Sequence, residues 1–253
     1  MKKILITGGS DGIGLATARL LAADGTQLTL VARNSTKLQA AVRSLPGSGH
    51  QFFAADLATP EGVSLIAQLI DEIRFDVFIN NAGVGIYGRF VEEPLDQQLA
   101  IMRLNMEALT VLAHHYLRQA RSGDALVNTA SFLAFTNMPG AAVYAATKAY
   151  AASFSEALWW EFKPKNVFVL GFNPGATTSS FHTAAGSSKE AFPNYMMQSP
   201  EAVAQELARA LRRRGSPRAV SGGINRLLVW GLNWLPRRLA LNIMGGRSPL
   251  PKG

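Results

Sequence analysis

The chain of 253 residues contains no cysteine. It therefore has no disulfide framework and no thiolate chemistry, which agrees with a cytoplasmic location, where thiols stay reduced. Its four histidines are not grouped with carboxylates at metal-ligand spacing, so no metal site is expected. The apolar stretch at the N-terminus is too short and too soon interrupted for a secretory signal, and we interpret residues 3–7 as the first strand.

Acidic residues are missing from the C-terminal end of the chain. Residues 207–253 carry ten Lys or Arg and no Asp or Glu, whereas residues 1–206 carry 15 basic and 17 acidic residues. The net charge of +8 therefore belongs to this tail, and the body and the tail need separate explanations. The tail also lacks a long apolar run, because its segment 224–235 is too short to span about 30 Å of hydrocarbon.

Two interpretations of residues 224–238 stay open. Tryptophans within the segment and arginines after it favour a peripheral contact with an anionic membrane surface. The same segment could instead pack on the substrate side of the domain or on a second subunit, and so wall the pocket. Nucleic acid is not an expected partner, because no recognition motif accompanies the charge.

Short apolar runs alternate with segments of helical spacing through most of the chain. The runs predict strands at residues 3–7, 27–32, 51–55, 76–80, 124–130 and 167–172, with a short one near 218–221. The other segments predict helices at 13–23, 36–45, 60–73, 94–121, 143–162 and 200–214. This alternation predicts an α/β Rossmann fold, a doubly wound, mostly parallel sheet of about seven strands with helices on both faces.

The same pattern divides the chain into functional parts. Residues 1–220 are predicted to form one dinucleotide-binding and catalytic domain. Within it, residues 175–200 are rich in Ser, Thr, Ala and Gly and are expected to form a substrate loop or lid. Residues 221–253 then form a basic, apolar C-terminal extension.

A glycine-rich turn joins the first predicted strand to the first predicted helix. It contains, in order, Thr7, Gly8, Ser10, Gly12, Ile13 and Gly14. Glycines let the backbone approach a pyrophosphate closely, and the helix N-terminus offers unpaired N–H groups and a positive dipole end. The pattern G-x-G-x-x-G is not met, because Thr17 stands at its third position, and the spacing is T-G-x-x-x-G-x-G instead. The turn predicts a site for the phosphates of a dinucleotide.

The lack of an acidic residue after the second predicted strand distinguishes between NAD and NADP. NAD enzymes usually place an acidic residue there, which binds the ribose 2′-hydroxyl. This chain has no acidic residue between Asp24 and Asp56, and Arg33 follows the strand, with Asn34 beside it. Because a guanidinium can bind a 2′-phosphate with two N–H groups, the sequence favours NADP (NADPH/NADP+) over NAD.

Tyr144 and Lys148 stand four positions apart in a predicted helix and so share one face. A phenol normally holds its proton until about pH 10. A nearby ammonium favours the phenolate, and Lys148 is therefore expected to lower the pKa of Tyr144 towards neutrality. Such a pair arises by chance on many helices, so its meaning depends on the other motifs.

Together the motifs resemble those of the short-chain dehydrogenase/reductase family over about residues 1–220. In chain order they are Thr7-Gly8-x-x-x-Gly12-x-Gly14, Asp56-Leu57, Asn80-Asn81-Ala82-Gly83, Asn105, Ser131, Tyr144-x-x-x-Lys148 and Asn173-Pro174-Gly175. The resemblance implies that Asp56 and Leu57 lie beside the adenine. It also implies that the segment ending at Gly83 closes over the cofactor. Along the nicotinamide it implies contacts from Pro174, Gly175, Thr177 and Ser179.

The resemblance also implies a catalytic set of four residues. Ser131 would hold the substrate oxygen, and Tyr144 would pass a proton to it. Lys148 would tune that tyrosine and bind the nicotinamide ribose, while Asn105 would hold a water for a proton relay to Lys148. Family likeness further implies a homodimer or homotetramer that pairs helices 94–121 and 143–162.

We therefore expect an NADP(H)-dependent oxidoreductase that transfers hydride between the nicotinamide and the carbonyl or alcohol carbon of a moderately apolar small molecule. One alternative is a ketoreductase of acyl chains on a carrier protein, whose acidic surface the basic tail would attract. Another is a nonenzymatic cofactor-sensing or membrane-surface protein that keeps the fold. That class often loses the tyrosine or the lysine, and this chain keeps both Tyr144 and Lys148.

Overall fold

The computed structural model of the chain describes residues 1–178, 197–246 and 248. Within them one sheet contains the strands β1 (Lys3–Thr7), β2 (Gln27–Ala32), β3 (Gln51–Ala54), β4 (Val77–Asn80), β5 (Ala125–Thr129), β6 (Phe168–Asn173) and β7 (Arg218–Val220). Their order is β3-β2-β1-β4-β5-β6-β7, and every neighbouring pair is parallel. Each predicted strand is present, with ends that differ by at most one residue.

Helices cover both faces of the sheet. In the described part of the chain they are α1 (Gly12–Ala22), α2 (Ser35–Arg43), α3 (Pro60–Glu72), α4 (Leu95–Met102), α5 (Leu109–Gln119), α6 (Ala142–Phe162), α7 (Pro200–Arg213), α8 (Gly223–Trp234) and α9 (Arg237–Gly245). The predicted doubly wound α/β fold is confirmed.

Capping side chains place several of these helices. The side chains of Asp11, Asn34, Thr59 and Ser199 each accept a hydrogen bond from a backbone N–H in the first turn of α1, α2, α3 and α7. Pro60 and Pro200 then occupy the first helical position of α3 and α7, where a missing N–H costs nothing. Local sequence alone therefore fixes where these helices begin.

The alternation of side chains along the strands divides the core into two layers. In β1, Ile4 and Ile6 belong to a cluster that α1, α2 and α7 cover. Leu5, which points to the other face, belongs to a second cluster covered by α3, α5 and α6. Because both faces of the sheet are buried, its central strands are apolar almost throughout, as parallel strands require.

The strand order reverses at β1, which pairs with β2 on one side and with β4 on the other. At such a switch point the connections after the two central strands leave toward opposite faces and open a crevice beyond their carboxyl ends. The glycine turn follows β1, and the segment Asn81–Gly83 follows β4. The topology therefore brings motifs that are more than 60 residues apart in sequence to one edge of the sheet.

One predicted helix differs from the structure. In place of a continuous helix over residues 94–121, α4 and α5 are joined by a π-helical turn, Arg103–Ala108. Such turns are rare and cluster at functional sites, and this one contains Asn105. The apolar periodicity does not reveal it, because a π turn adds a residue without breaking the helix.

Only the ends of the predicted loop 175–200 are described. The N–H of Gln198 donates to the carbonyl of Ala176, and the N–H of Thr178 donates to the carbonyl of Gln198, both at 2.9 Å. The two ends are thus held side by side, while residues 179–196 lie outside the described residues.

The C-terminal extension forms two helices that pack beside the sheet edge. Val229 and Leu232 of α8 and Ala240 and Met244 of α9 are buried in a third apolar cluster. In the part of the chain that the structure describes, no helix is long and apolar enough to cross a membrane.

Candidate functional site

A cleft of about 560 Å³ opens at the carboxyl edge of the sheet, at the switch point. Of the residues that the sequence predicts for cofactor and chemistry, it is lined by Gly8, Ser10, Gly12, Ile13, Arg33, Asn34, Asp56, Leu57, Asn81, Ala82, Gly83, Ser131, Tyr144, Lys148, Pro174, Gly175 and Thr177. Thr7, Gly14 and Asn105 lie behind this surface, and Ser179 lies outside the described residues. The fold thus gathers nearly the whole predicted set in one cavity.

The glycine turn gives the cleft a backbone floor at the N-terminus of α1. Gly8 and Gly12 have φ values of +67° and +54°, which residues with a side chain rarely adopt. A Cβ on Gly14 would lie 2.2 Å from the carbonyl oxygen of Gly8, so only glycine allows this close approach of helix and turn. The resulting concavity, with a helix N-terminus beside it, fits a pyrophosphate.

Thr7 lies beneath the lining of the cleft and connects the end of β1 to the segment that follows β4. Its Oγ1 accepts hydrogen bonds from the N–H groups of Asn81 at 2.9 Å and Ala82 at 3.0 Å. The side chain of Asn81 in turn donates to the carbonyl of Thr7 at 3.0 Å. Because Thr7 is fully buried, these bonds hold the ends of β1 and β4 in a fixed relation.

Two loops form the other end of the cleft. Arg33, which is exposed at the rim, and Asn34 follow β2, and Asn34 also caps α2 by accepting from the N–H of Lys37 at 2.9 Å. Asp56 follows β3, and its side chain accepts from the N–H of Ala58 at 3.0 Å. This end carries the cationic groups of Arg33 and Lys37 together with a fixed carboxylate, which suits a ribose phosphate and an adenine amine.

Ser131, Tyr144 and Lys148 meet at the opposite end, beyond β5. All three side chains are buried. The side chains of Ser131 and Tyr144 are hydrogen-bonded to each other. The Nζ of Lys148 donates to the carbonyl oxygen of Thr129 at 2.9 Å and lies 5.8 Å from the centroid of the Tyr144 ring.

Burial decides the protonation of this group. Burial raises the pKa of Tyr144 to about 12, and the hydrogen bond with Ser131 acts in the opposite direction. Burial lowers the pKa of Lys148 to about 8. The predicted lowering of the Tyr144 pKa by Lys148 is therefore wrong for this structure. The ammonium donates to a backbone carbonyl, and loss of water around the phenol hydroxyl has the largest effect on its pKa.

Asn105 reaches the site through a neighbouring loop. Its Nδ2 donates to the carbonyl of Val84 at 2.9 Å and to Oγ1 of Thr147 at 3.0 Å, and its Oδ1 accepts from the N–H of Val84 at 3.1 Å. A Cβ on Gly83 would lie 3.0 Å from Nζ of Lys148 and 3.2 Å from Oδ1 of Asn105. The amide and the ammonium thus flank one glycine, and a water relay between them stays a prediction.

The segment after β6 closes the cleft beside this group. The carbonyl of Pro174 accepts from the N–H of Phe132 at 2.9 Å. A Cβ on Gly175 would lie 1.8 Å from Nδ2 of Asn225, a buried residue of α8. The C-terminal extension thus lies in close contact with the segment that the sequence assigns to the nicotinamide, and a side chain at position 175 would force Asn225 or this segment to move.

Sequence motifs missed the apolar wall of the cleft. Tyr87, Phe132 and Leu133 line it and belong to the third cluster together with Tyr144. The rings of Tyr87 and Tyr144 lie 6.1 Å apart, and burial raises the pKa of Tyr87. Tyr87 lies in the segment between β4 and α4, and Phe132 and Leu133 lie in a 3-10 turn just after β5. This position at the carboxyl edge of the sheet is the signal that could have indicated them.

Comparison with known proteins gives the following matches. The family described as short chain dehydrogenase matches residues 2–190. The 3-oxoacyl-[acyl-carrier-protein] reductase FabG of Chlamydia pneumoniae is 30% identical over 181 residues, which are 69% of this chain and 73% of that protein. Carbonyl reductase family member 4 of Danio rerio is 28% identical over 234 residues, with coverage of 88% and 98%.

One solved structure is similar to this chain over most of the length of both chains. The short-chain dehydrogenase from Sphingobium yanoikuyae in complex with NADPH is similar to this chain with a TM-score of 0.82 and 27% identity. The match covers 92% of this chain and 94% of the other.

Proposed function

Because the chain belongs to the short chain dehydrogenase family of oxidoreductases, we propose that it is an NADP(H)-dependent carbonyl reductase or alcohol dehydrogenase acting on a moderately apolar small molecule. One observation carries this proposal. A single cleft has a glycine-lined phosphate floor at one end and the buried group Ser131, Tyr144 and Lys148 at the other. A cofactor bound along it would bring its nicotinamide to that group.

In this proposal the nicotinamide supplies or accepts the hydride, and the protein manages the proton. The hydroxyls of Ser131 and Tyr144 bind the substrate oxygen from one side. During reduction Tyr144 gives its proton to that oxygen, and during oxidation its phenolate takes the proton back. Lys148 holds a positive charge beside the phenolate as it forms, and Asn105 and Thr147 keep the helix and the Val84 loop in register.

Arg33 is the residue that we assign to cofactor choice. It lines the cleft immediately after β2, where an acidic residue would bind the 2′-hydroxyl of NAD. A guanidinium at that position favours the 2′-phosphate of NADP, and the NADPH bound by the Sphingobium relative supports this choice.

Fluorescence titration with NADPH and NADH tests the cofactor assignment. We expect the native protein to bind NADPH more tightly, and Arg33→Asp to weaken NADPH by about 10- to 100-fold while NADH changes little. Arg43→Asp, at the end of α2 and outside the cleft, is the matched control and should behave like the native protein. An unchanged preference in Arg33→Asp would remove Arg33 from the site.

The substrate class rests on the wall of the cleft. Tyr87, Phe132 and Leu133 present aromatic and aliphatic surface beside Tyr144. Such surface favours ketones, aldehydes or secondary alcohols with apolar substituents. NADPH consumption with a panel of carbonyls of increasing apolar size tests this, and turnover confined to small polar carbonyls would contradict it.

A second candidate is a ketoreductase of carrier-bound acyl chains. It is favoured by the Chlamydia reductase of that name and by the basic residues after position 206. It predicts that an acyl chain on its carrier turns over faster than the free thioester, and that salt removes the difference. Equal turnover of the carrier-bound and the free substrate would contradict this second candidate, and the small-molecule assignment would stand.

Self-association is part of the proposal. Leu95, Leu99 and Met102 of α4 and Trp160 of α6 are exposed apolar residues on the helices that the family likeness assigns to the subunit interface. Trp160 is 68% exposed, whereas its neighbour Trp159 packs on the core. Light scattering that gave a monomer at micromolar concentration would contradict a homodimer or homotetramer.

A further inference from the structure

Helix α8 has two apolar faces that point in opposite directions. With 100° between successive residues, Asn225, Val229 and Leu232 fall on one arc, and all three are buried. Ile224, Leu227, Trp230 and Trp234 fall on the opposite arc, where they are 49%, 67%, 63% and 76% exposed. A helix that is apolar on both sides normally has both sides covered. The described part of the chain covers only one.

The outward face has the composition of an interfacial segment. No charged residue lies within its arc, and the rings of Trp230 and Trp234 lie 6.2 Å apart. Arg237 and Arg238, both exposed, begin α9, which two residues separate from the end of α8, and Leu239 is also exposed. Tryptophans with arginines beside them are characteristic of segments at the boundary between lipid headgroups and acyl chains.

We propose that the outward face of α8, with Arg237 and Arg238, is a docking surface for a bilayer that contains anionic lipid. The helix would lie in the plane of the interface, with Leu227, Trp230 and Trp234 among the upper acyl carbons and the guanidinium groups among the phosphates. Burial of the apolar arc and attraction to anionic headgroups then both contribute to binding.

Charge complementarity favours this occupant over a second copy of the chain. In a two-fold symmetric dimer the same patch would face itself. Arg237 and Arg238 of each copy would then face a patch without opposite charge, because residues 207–253 contain no acidic residue. An anionic bilayer offers the opposite charge over the whole patch.

Vesicle flotation tests the proposal without substrate or cofactor, so its result is separate from that of the proposed enzyme activity. The probes are vesicles of phosphatidylcholine with 30% phosphatidylglycerol and vesicles of phosphatidylcholine alone. We expect the native protein to float with the former and to bind the latter at least about tenfold more weakly. Arg237→Glu/Arg238→Glu should lose most of the difference between the two.

An exposed aromatic side chain elsewhere in the molecule provides the matched comparison. Trp230→Ser/Trp234→Ser should lower vesicle binding on the order of tenfold or more, whereas Phe90→Ser, at an exposed residue before α4, should float like the native protein. A circular dichroism spectrum and an unfolding temperature close to those of the native protein would show that the double variant is folded. Equal flotation of the double variant and the native protein would overturn the proposal.

Fluorescence gives a second readout that needs no change at the patch. In a Trp159→Phe/Trp160→Phe background only Trp230 and Trp234 emit. Anionic vesicles should shift this emission to the blue, and brominated acyl chains should quench it. No shift and no quenching would overturn the proposal. A second result would also overturn it. If light scattering shows that Trp230→Ser/Trp234→Ser forms a smaller oligomer than the native protein, and the native protein does not bind vesicles, the outward face binds a second copy of the chain.

Discussion

Burial sets the protonation states of the two central side chains of the cleft. With a pKa raised to about 12, Tyr144 keeps its proton through the neutral range. With a pKa lowered to about 8, Lys148 is positively charged at pH 7 but loses its proton a little above it. A protonated phenol beside a cation is the state that carbonyl reduction needs, because the phenol gives up a proton and the cation stabilises the phenolate left behind.

The first prediction concerns the Tyr144 hydroxyl. Tyr144→Phe keeps the ring in the third cluster but removes the proton donor. We expect NADPH-dependent reduction to fall by about 10³-fold or more, with NADPH affinity changed by less than about threefold. Single-turnover kinetics and a fluorescence titration measure the two quantities. Turnover close to that of the native protein would remove Tyr144 from the chemistry.

The second prediction concerns the pH dependence of reduction. Because the proposed reaction uses the cation on Lys148, whose pKa lies near 8, reduction should be constant near neutrality and fall as the pH rises through about 8. The proton on Tyr144 does not limit this range, since its pKa lies near 12. In Lys148→Arg, which stays charged, the residual activity should show no such fall. A native rate that stays level up to pH 10 would contradict the assignment.

Two contacts between elements position the site. The π turn between α4 and α5 carries Asn105, whose amide binds both the Val84 loop and Thr147 of α6. On the other side, Asn225 of α8 lies against Gly175, and Ser221 accepts from the N–H of Gly175 at 3.0 Å. Residues of the C-terminal extension therefore position the segment after β6, which the sequence assigns to the cofactor.

The third prediction tests this contact with a second-site rescue. In Gly175→Ala the new Cβ would meet Nδ2 of Asn225 at 1.8 Å, so either the segment after β6 or the Asn225 side chain must shift. We expect NADPH affinity to fall on the order of tenfold. Gly175→Ala/Asn225→Ala removes the obstructing amide and should recover most of the affinity. Asn225→Ala alone is the control, and a double variant no better than Gly175→Ala would show that the clash is not the cause.

At the scale of the whole molecule, the tail is part of the core. Val229, Leu232, Ala240 and Met244 complete the apolar cluster that contains Tyr144. The described tail does not line the cleft, but it supports the side chains that do. The stability of the tail and the geometry of the site are therefore coupled through packing.

The fourth prediction compares two leucines on opposite faces of α8. Leu232 is 5% exposed, whereas Leu227 is 67% exposed. Leu232→Ala should lower the free energy of unfolding by about 2–4 kcal/mol through a cavity in the third cluster, and Leu227→Ala by less than about 0.5 kcal/mol. Urea unfolding monitored by circular dichroism measures both. Equal effects would mean that the inner face of α8 is not a packed face.

Sequence by itself determined the parts of this protein that depend on local chemistry. Strand and helix periodicity, caps such as Asp11 and Thr59, and the glycine spacing are set by neighbouring residues, and they led to the correct sheet and to most of the cleft. Three other features of the protein were decided by the tertiary structure alone. The π turn at Asn105 depends on distant partners, and the high pKa of Tyr144 depends on how completely the fold excludes water. The division of α8 into a buried and an exposed face is the third, because its sequence has large apolar residues on two opposite arcs and only packing decides which arc meets the core.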